Sequence, residues 1–342
     1  MIENRIPSKI VMGGGKIPSI SAIRLFAMVC IIACHFCQYY ELEAAWWLNV
    51  GVQIFFIISG FLYGNKIIGE PIEWIIKQVK KILIPYYLFL FFAIVGYAIV
   101  APEMLEIENV MSAILTVGQI KGISHLWFVS NILFCYLITP YLAALRDYLN
   151  NKSLQHTLLV LFCVFGIYSL IGILTNDYFR PGRIDCYILG YYTAVLCKRY
   201  GQKVLRWSMG LSLIPCICSN VVYCYFRYTK CLQMEGVFSH LTDYSHLFLG
   251  FTITLALMIL LQNIRYRNIL RISDKYSYEI YLVHQLFILS PLSLITISDN
   301  IVLNIVTTSA IILFAGITLQ KAKDTIHTII FKSDVSVKGF IN

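Results

Sequence analysis

The stretch Ile23–Tyr40, IRLFAMVCIIACHFCQYY, decides the fold of this chain. It is almost wholly apolar, and as a helix it approaches the length of about 20 residues that crosses a bilayer. Arg24 and His35 interrupt the apolar run. An ionisable side chain inside a membrane helix is costly and generally faces a partner or a cavity. The stretch therefore predicts a membrane-spanning helix that carries a functional site.

Similar apolar runs recur along the whole chain of 342 residues, which is 58% hydrophobic and 13% charged, with a mean hydropathy of +0.73. A soluble chain of this size has no core large enough to bury so much apolar surface. We expect an all-α polytopic membrane helix bundle of about ten transmembrane helices. The ten runs lie at 20–40, 47–65, 82–101, 125–145, 154–175, 184–198, 205–226, 244–262, 276–296 and 300–320.

The charge distribution gives this bundle an orientation. Ten spans leave both termini on one side, and that side collects 21 Lys and Arg residues in its loops and tails against five on the other. Such a bias predicts that both termini are cytoplasmic, because translocation of short basic loops is disfavoured. It also accounts for the net charge of +9 without a nucleic-acid partner. We expect cytoplasmic tails at 1–19 and 321–342 around one membrane domain at 20–320.

Arg24 and His35 are eleven residues apart, about three helical turns, so both project from nearly the same face. A rise of about 1.5 Å per residue separates them by roughly 16 Å along the helix. Cysteines at 30, 34 and 37 suggest a metal site at first sight. We reject it, because His35 points about 100° away from Cys34 and a single helix cannot surround a tetrahedral metal.

Transport is the main alternative to a catalytic role for Arg24 and His35. A proton-coupled transporter needs carboxylates along a path through the membrane, and Glu279 is the one acid that falls plausibly within a span. This scarcity argues against proton coupling. It leaves a facilitator or a flippase open.

Further polar residues stand at the two ends of the spans. Lys77, Lys80 and Lys81 precede Pro85 at the cytoplasmic rim, where with Arg24 they would form a cationic mouth suited to a polyphosphate. The positive-inside bias alone also explains lysines in this place. The segments SHLWFVSNILFCYLITP and SDKYSYEIYLVHQLF add His125, Trp127, Tyr276, Tyr281 and His284. Taken singly, Trp127 is interpreted as an interfacial anchor and His284 as a bundle-facing hydrogen bonder.

Taken together and in this order, the motifs resemble the acyltransferase-3 membrane family, which includes O-acetyltransferases of bacterial surface polysaccharides. The resemblance spans the chain and rests on RLFAMVCIIACH, GVQIFFIISGFL, a basic stretch ending in Pro-Tyr, HLWFV…CYLITP and YSYEIYLVH. It implies roughly ten spans, a cytoplasmic acyl-CoA donor, and transfer to a hydroxyl, often of a sugar. It also implies a multi-pass protein of the bacterial cytoplasmic membrane.

By resemblance, the arginine–histidine pair of the family carries over to Arg24 and His35, and its basic motif to Lys77, Lys80 and Lys81. Two departures stand out. The family usually has arginines in the basic motif, and lysine offers a point charge without the bidentate fork of arginine. The usual proline after the late histidine is Gln285 here.

The resemblance and the residues together give a mechanism to test. We expect Arg24 and the three lysines to bind the CoA phosphates and His35 to be the catalytic base. Burial favours a neutral imidazole, which would take the proton of the acceptor hydroxyl as that oxygen attacks the thioester. The alternative, in which His35 first takes the acyl group, is left open.

On the acceptor side we expect His125, Trp127, Arg183 and Asp185 to bind a glycan or a lipid-linked glycan, since aromatic rings stack on sugars and an Arg–Asp pair binds hydroxyls. We expect no metal and no resident cofactor, only acetyl-CoA or another acyl-CoA as donor substrate. The other partners are membrane lipids. The competing hypothesis is a lipid-linked glycan flippase or polysaccharide export component.

Overall fold

The computed structural model describes residues 17–175, 182–229 and 235–338, and within these ranges it contains twelve α-helices and no β-strand. The all-α prediction is therefore confirmed for this part of the chain. Short 3-10 helices lie at Pro102–Met104 and Ser124–Leu126. The α-helices are α1 (Pro18–Tyr39), α2 (Ala44–Leu48), α3 (Gly51–Gly64), α4 (Pro71–Val100), α5 (Ile107–Ile114), α6 (Trp127–Leu149), α7 (Leu154–Thr175), α8 (Ile184–Tyr200), α9 (Lys203–Thr229), α10 (Glu235–Leu260), α11 (Asn268–Ile288) and α12 (Ile301–Lys338).

Eight helical segments of the described ranges are long and apolar enough to cross a membrane. They coincide with eight of the ten predicted spans. The other two predicted spans correspond to α8 and α11. With 17 residues α8 is short, and the first half of α11 carries Arg271, Asp274 and Lys275. The total of ten spans and the cytoplasmic termini remain predictions.

The last two helices differ from the predicted runs in their bounds. The helix in the predicted run at 276–296 ends before the run does. This helix, α11, stops at Ile288, and Pro291 follows after two residues. Proline has no N–H to continue a helical ladder and disfavours helix in the residue before it. Turns then lead to α12, which continues past residue 320 to Lys338.

The chain divides into two compact units. The first comprises residues up to Ile31, Trp46–Trp74 and Phe134–Asp274, and the second comprises Ile32–Ala45, Ile75–Leu133 and the chain from Lys275 onward. Arg24, Arg183 and Asp185 belong to the first unit. His35, His125, Trp127 and the three lysines belong to the second.

Close packing of α3 on α8 forms the core of the first unit. A Cβ atom on Gly60 or Gly64 of α3 would collide with the backbone carbonyl of Tyr187 or Tyr191 of α8, and one on Gly190 with that of Ile57. Small residues let membrane helices approach until their backbones touch. Gly60, Gly64 and Gly190 therefore permit the close approach of α3 and α8.

Two tyrosine hydroxyls and one ion pair tie the second unit together. The Tyr86 hydroxyl of α4 donates to the Ala113 carbonyl of α5 at 2.5 Å, and the Tyr278 hydroxyl of α11 donates to the Ile82 carbonyl of α4 at 3.1 Å. Glu279 of α11, which is fully buried, pairs with Lys323 of α12. These bonds fix α11, and α11 carries the histidine that completes the site below.

Candidate functional site

Three histidines meet in the second unit. His35 comes from α1, His125 from the 3-10 turn that precedes α6, and His284 from α11. The ring centroids of His35 and His284 are 4.9 Å apart, and those of His125 and His284 are 4.8 Å apart. His284 therefore lies in contact with both other imidazoles. His35 and His125 are predicted site residues, whereas His284 is not among the residues predicted for the site.

His125 is held by every polar atom it has. Its backbone N–H donates to Gln285 Oε1 at 2.8 Å, and its ring Nδ1 lies 2.5 Å from the same oxygen. The ring Nε2 lies 3.0 Å from the Leu282 carbonyl, and the Tyr281 hydroxyl donates to the His125 carbonyl at 2.7 Å. Both ring nitrogens thus face oxygen acceptors. The role of His125 in acceptor binding remains a prediction.

Gln285 stands where the family usually has a proline, and its side chain has a structural role here. A proline at this position has no side-chain acceptor and no backbone N–H. Glutamine supplies the oxygen to which His125 bonds twice, and Gln285 is itself buried. In this chain Gln285, the residue after His284, therefore anchors His125.

His284 has one nitrogen bound and one nitrogen unbound. Its Nδ1 contacts the Tyr281 carbonyl one turn earlier in α11. A carbonyl oxygen only accepts, so Nδ1 carries the proton and Nε2 keeps its lone pair. This Nε2 is buried and has no hydrogen-bond partner among the described residues. An unpaired buried polar atom is uncommon in a folded protein and calls for an explanation.

His35 differs from the other two in access. Its Nδ1 lies 2.6 Å from Gln38 Oε1, and its residue is partly exposed, whereas His125 and His284 are buried. His35 is therefore the only one of the three described histidines of this cluster that keeps accessible surface. The neighbouring Cys34 is buried and directs its thiol to the Ala45 carbonyl. Among the described residues no group of three His, Cys, Asp or Glu side chains is placed to hold a metal ion.

Arg24 forms a separate polar cluster in the first unit. Its Nη1 donates to Asp274 Oδ1 at 2.6 Å. Asp274 Oδ2 accepts from the Ser21 hydroxyl at 2.7 Å and from the Tyr266 hydroxyl at 2.9 Å. Arg24, Ser21 and Asp274 line a cavity of about 160 Å³ together with Ile17, Ile20 and Leu62. Arg24 is thus a paired cation beside a cavity, and its partner Asp274 was missed by the sequence analysis.

Lys77, Lys80 and Lys81 lie in the first half of α4 and are exposed. Lys77 and Lys81 are one turn apart in α4 and share a face. Exposed ammonium groups on a common face attract an anion without holding it in a fixed geometry. That they bind donor phosphates remains a prediction.

The remaining predicted acceptor residues are distributed over both units. Asp185 of the first unit is fully buried, and its Oδ1 accepts from the N–H groups of Gly182 and Cys186 at 2.7 and 3.1 Å. These bonds satisfy backbone donors at the start of α8, which is a structural role. Arg183 precedes α8, and Trp127 opens α6 in the second unit, both partly exposed. Their contact with a glycan remains a prediction.

These features define a class of protein: a multi-pass helical membrane protein with a cluster of imidazoles among its helices. A family model described as "Acyltransferase domain" matches residues 17–319. The chain therefore belongs to the acyltransferase-3 family, as its motifs predicted.

The curated relatives include the O-acetyltransferase OatA of Staphylococcus aureus in strains NCTC 8325 / PS 47, COL and MRSA252. Each is 25% identical over 222 residues, a match that covers 55% of this chain. It covers only 36% of the length of these relatives. No solved structure matches the chain.

Proposed function

We propose that this chain is a membrane-embedded O-acyltransferase of the bacterial cytoplasmic membrane. It moves an acetyl group from cytoplasmic acetyl-CoA to a hydroxyl of a cell-surface polysaccharide or of its lipid-linked precursor. Membership of the acyltransferase family supports the reaction class. The similarity to an O-acetyltransferase supports oxygen as the acceptor atom. The observation that carries the proposal is the partly exposed His35 beside the buried His284.

In its simplest form, the reaction uses His35 as the general base. With Gln38 Oε1 against Nδ1, His35 keeps a lone pair on Nε2 for the proton of the acceptor hydroxyl. General-base catalysis of this kind contributes about 10²–10⁴ in rate. In the alternative route His35 takes the acyl group first and passes it to the hydroxyl.

Arg24 and the three lysines Lys77, Lys80 and Lys81 bind the phosphates of the donor in this proposal. The ion pair with Asp274 engages one nitrogen of Arg24, and a guanidinium has five N–H donors. Arg24 therefore retains donors for a phosphate while Asp274 keeps its head group oriented.

His125, Trp127, Arg183 and Asp185 are proposed to contact the glycan acceptor. Trp127 offers a ring for stacking on a sugar, and Arg183 offers donors for hydroxyl oxygens. The reaction as proposed needs neither a metal nor a resident cofactor, because the thioester already carries an activated acyl group.

The test is release of CoA thiol by the purified protein in liposomes, supplied with acetyl-CoA and crude surface glycan. An O-acyltransferase releases thiol in a glycan-dependent manner and leaves labelled acetyl on the glycan. If no acyl-CoA gives thiol or labelled glycan, the proposal fails. Movement of a lipid-linked glycan across the same liposomes without thioester would then identify a flippase.

A further inference from the structure

The unpartnered Nε2 of His284 is the feature of this site that the roles above leave unused. It is a lone-pair acceptor, because the proton of the ring is fixed on Nδ1 by the Tyr281 carbonyl. It is buried and has no partner among the described residues. Leaving a buried polar atom unpaired costs about 1–3 kcal/mol. A hydrogen-bond donor that enters with the substrate relieves this penalty.

The contacts of the His125 and His35 ring nitrogens limit which nitrogens of the cluster can act on a substrate. Both ring nitrogens of His125 face oxygen atoms of the protein, those of the Gln285 side chain and the Leu282 carbonyl, so neither nitrogen is directed at a substrate. His35 keeps its Nε2 lone pair, because Nδ1 faces Gln38 Oε1. The site thus holds two basic nitrogens on adjacent rings whose centroids are 4.9 Å apart.

Direct transfer from a thioester to a hydroxyl needs one base, whereas a covalent route needs a nucleophile and a base. An acylated His35 has spent its Nε2 lone pair and cannot remove the hydroxyl proton. A nucleophile beside a base that a third group orients is the usual signature of covalent catalysis. His35, His284 and the Tyr281 carbonyl form this arrangement within the second unit.

We propose that His284 is a second catalytic base, which takes the proton of the acceptor hydroxyl while His35 carries the acyl group. This role rests on the proposed function and selects the covalent one of its two routes. It also gives a catalytic role to a histidine of α11 that the sequence suggested only as a bundle-facing hydrogen bonder.

The covalent route has two steps, acylation of His35 and transfer of the acyl group to the acceptor hydroxyl. In the first, the His35 Nε2 lone pair attacks the thioester carbonyl carbon, the C–S bond breaks, and the CoA thiolate leaves an acyl-imidazolium that retains its proton on Nδ1. In the second, the hydroxyl oxygen attacks the acyl carbon and gives its proton to His284 Nε2. The C–N bond then breaks and its electron pair returns to His35. His284 passes the proton to solvent, the thiolate takes one from solvent, and both imidazoles are neutral again.

The half-reactions test this role directly. Purified protein is mixed with radiolabelled acetyl-CoA without acceptor and quenched rapidly, and crude surface glycan is added in a second experiment. The variant His284→Asn keeps an amide donor for the Tyr281 carbonyl and lacks the base. His284→Ala tests rescue by added imidazole. The matched control is His156→Gln, which replaces an exposed histidine of α7.

Wild type and His156→Gln should release a burst of about one CoA per protein, the kinetic fingerprint of a covalent intermediate. The label should lie on His35. His284→Asn should keep the burst and transfer the label to glycan about 100-fold more slowly or worse. Added imidazole should restore part of the transfer in His284→Ala.

Three results would overturn the role. They are glycan acetylation by wild type without burst or label, transfer by His284→Asn at nearly the wild-type rate, and loss of the burst itself in folded His284→Asn. Absence of both CoA release and glycan acetylation in wild type would instead refute the proposed function.

Discussion

Arg24 and Asp274 form a largely buried ion pair in the first unit. The Arg24 side chain is 22% exposed and that of Asp274 is 7% exposed, and the two meet at 2.6 Å. Removing one partner of a buried ion pair leaves an uncompensated charge, which is more costly than losing both. The pair therefore acts as one unit on which the position of Arg24 depends.

The variant Asp274→Asn should lower the stability of the protein by about 3 kcal/mol, because Arg24 loses its counter-charge. Thermal unfolding in detergent measures this. Asp324→Asn is the matched control, since the Lys275–Asp324 pair is about half exposed, with its atoms 3.7 Å apart, and should change little. The double variant Arg24→Gln, Asp274→Asn should recover part of the loss. An Asp274→Asn variant as stable as Asp324→Asn would show that the pair contributes nothing.

Gln285 offers a second test at the residue scale. Gln285→Met keeps the length of the side chain and removes the oxygen that His125 contacts through two nitrogens. It should destabilise the protein by about 1–3 kcal/mol, because buried donors of His125 lose their acceptor. Gln285→Glu keeps an acceptor and should retain more stability in the same melting experiment. Equal melting temperatures for both variants would contradict the proposed anchoring of His125.

At the scale of elements, the packing of α3 on α8 leaves no room for side chains at its contact glycines. Gly190→Ala should cost about 1–3 kcal/mol, because overpacking forces two backbones apart. Gly210→Ala in α9 meets no atom within 4 Å and should be neutral or gain up to about 1 kcal/mol from helix propensity. The two melting temperatures decide the matter. A Gly190→Ala protein as stable as Gly210→Ala would refute the close approach.

Much of the helical framework follows from hydropathy, because a run of about 20 apolar residues has few other structures available in a membrane. Arg24 and His35 follow from the cost of polar groups in such a run. The roles of Asp274 and Gln285 do not follow from the sequence, because their partners are distant along the chain. Asp274 lies 250 residues from Arg24, and Gln285 lies 160 residues from His125. The free Nε2 of His284 depends on a ring orientation that no spacing rule encodes. The end of α11 is set by Pro291, a local signal that hydropathy alone overlooks.

At the scale of the whole molecule, the loop charges predict cytoplasmic termini. A green fluorescent protein fused after Asn342 should therefore fluoresce, and an alkaline phosphatase at the same position should be inactive, because the phosphatase folds only outside the cytoplasm. Fusions after Glu41, in the turn that follows α1, should show the reverse pattern. An active phosphatase after Asn342 would contradict the predicted orientation and the cytoplasmic approach of the donor.

The central claim is that an acyl group passes through this membrane domain with His35 at the reacting centre. The most direct measurement compares glycan-dependent release of CoA thiol by wild type and His35→Ala at matched folding and abundance, with His156→Gln as control. The account predicts release by wild type and by His156→Gln, and a loss of about 10²–10⁴ in His35→Ala. Glycan-dependent release that survives His35→Ala at the wild-type rate would contradict it.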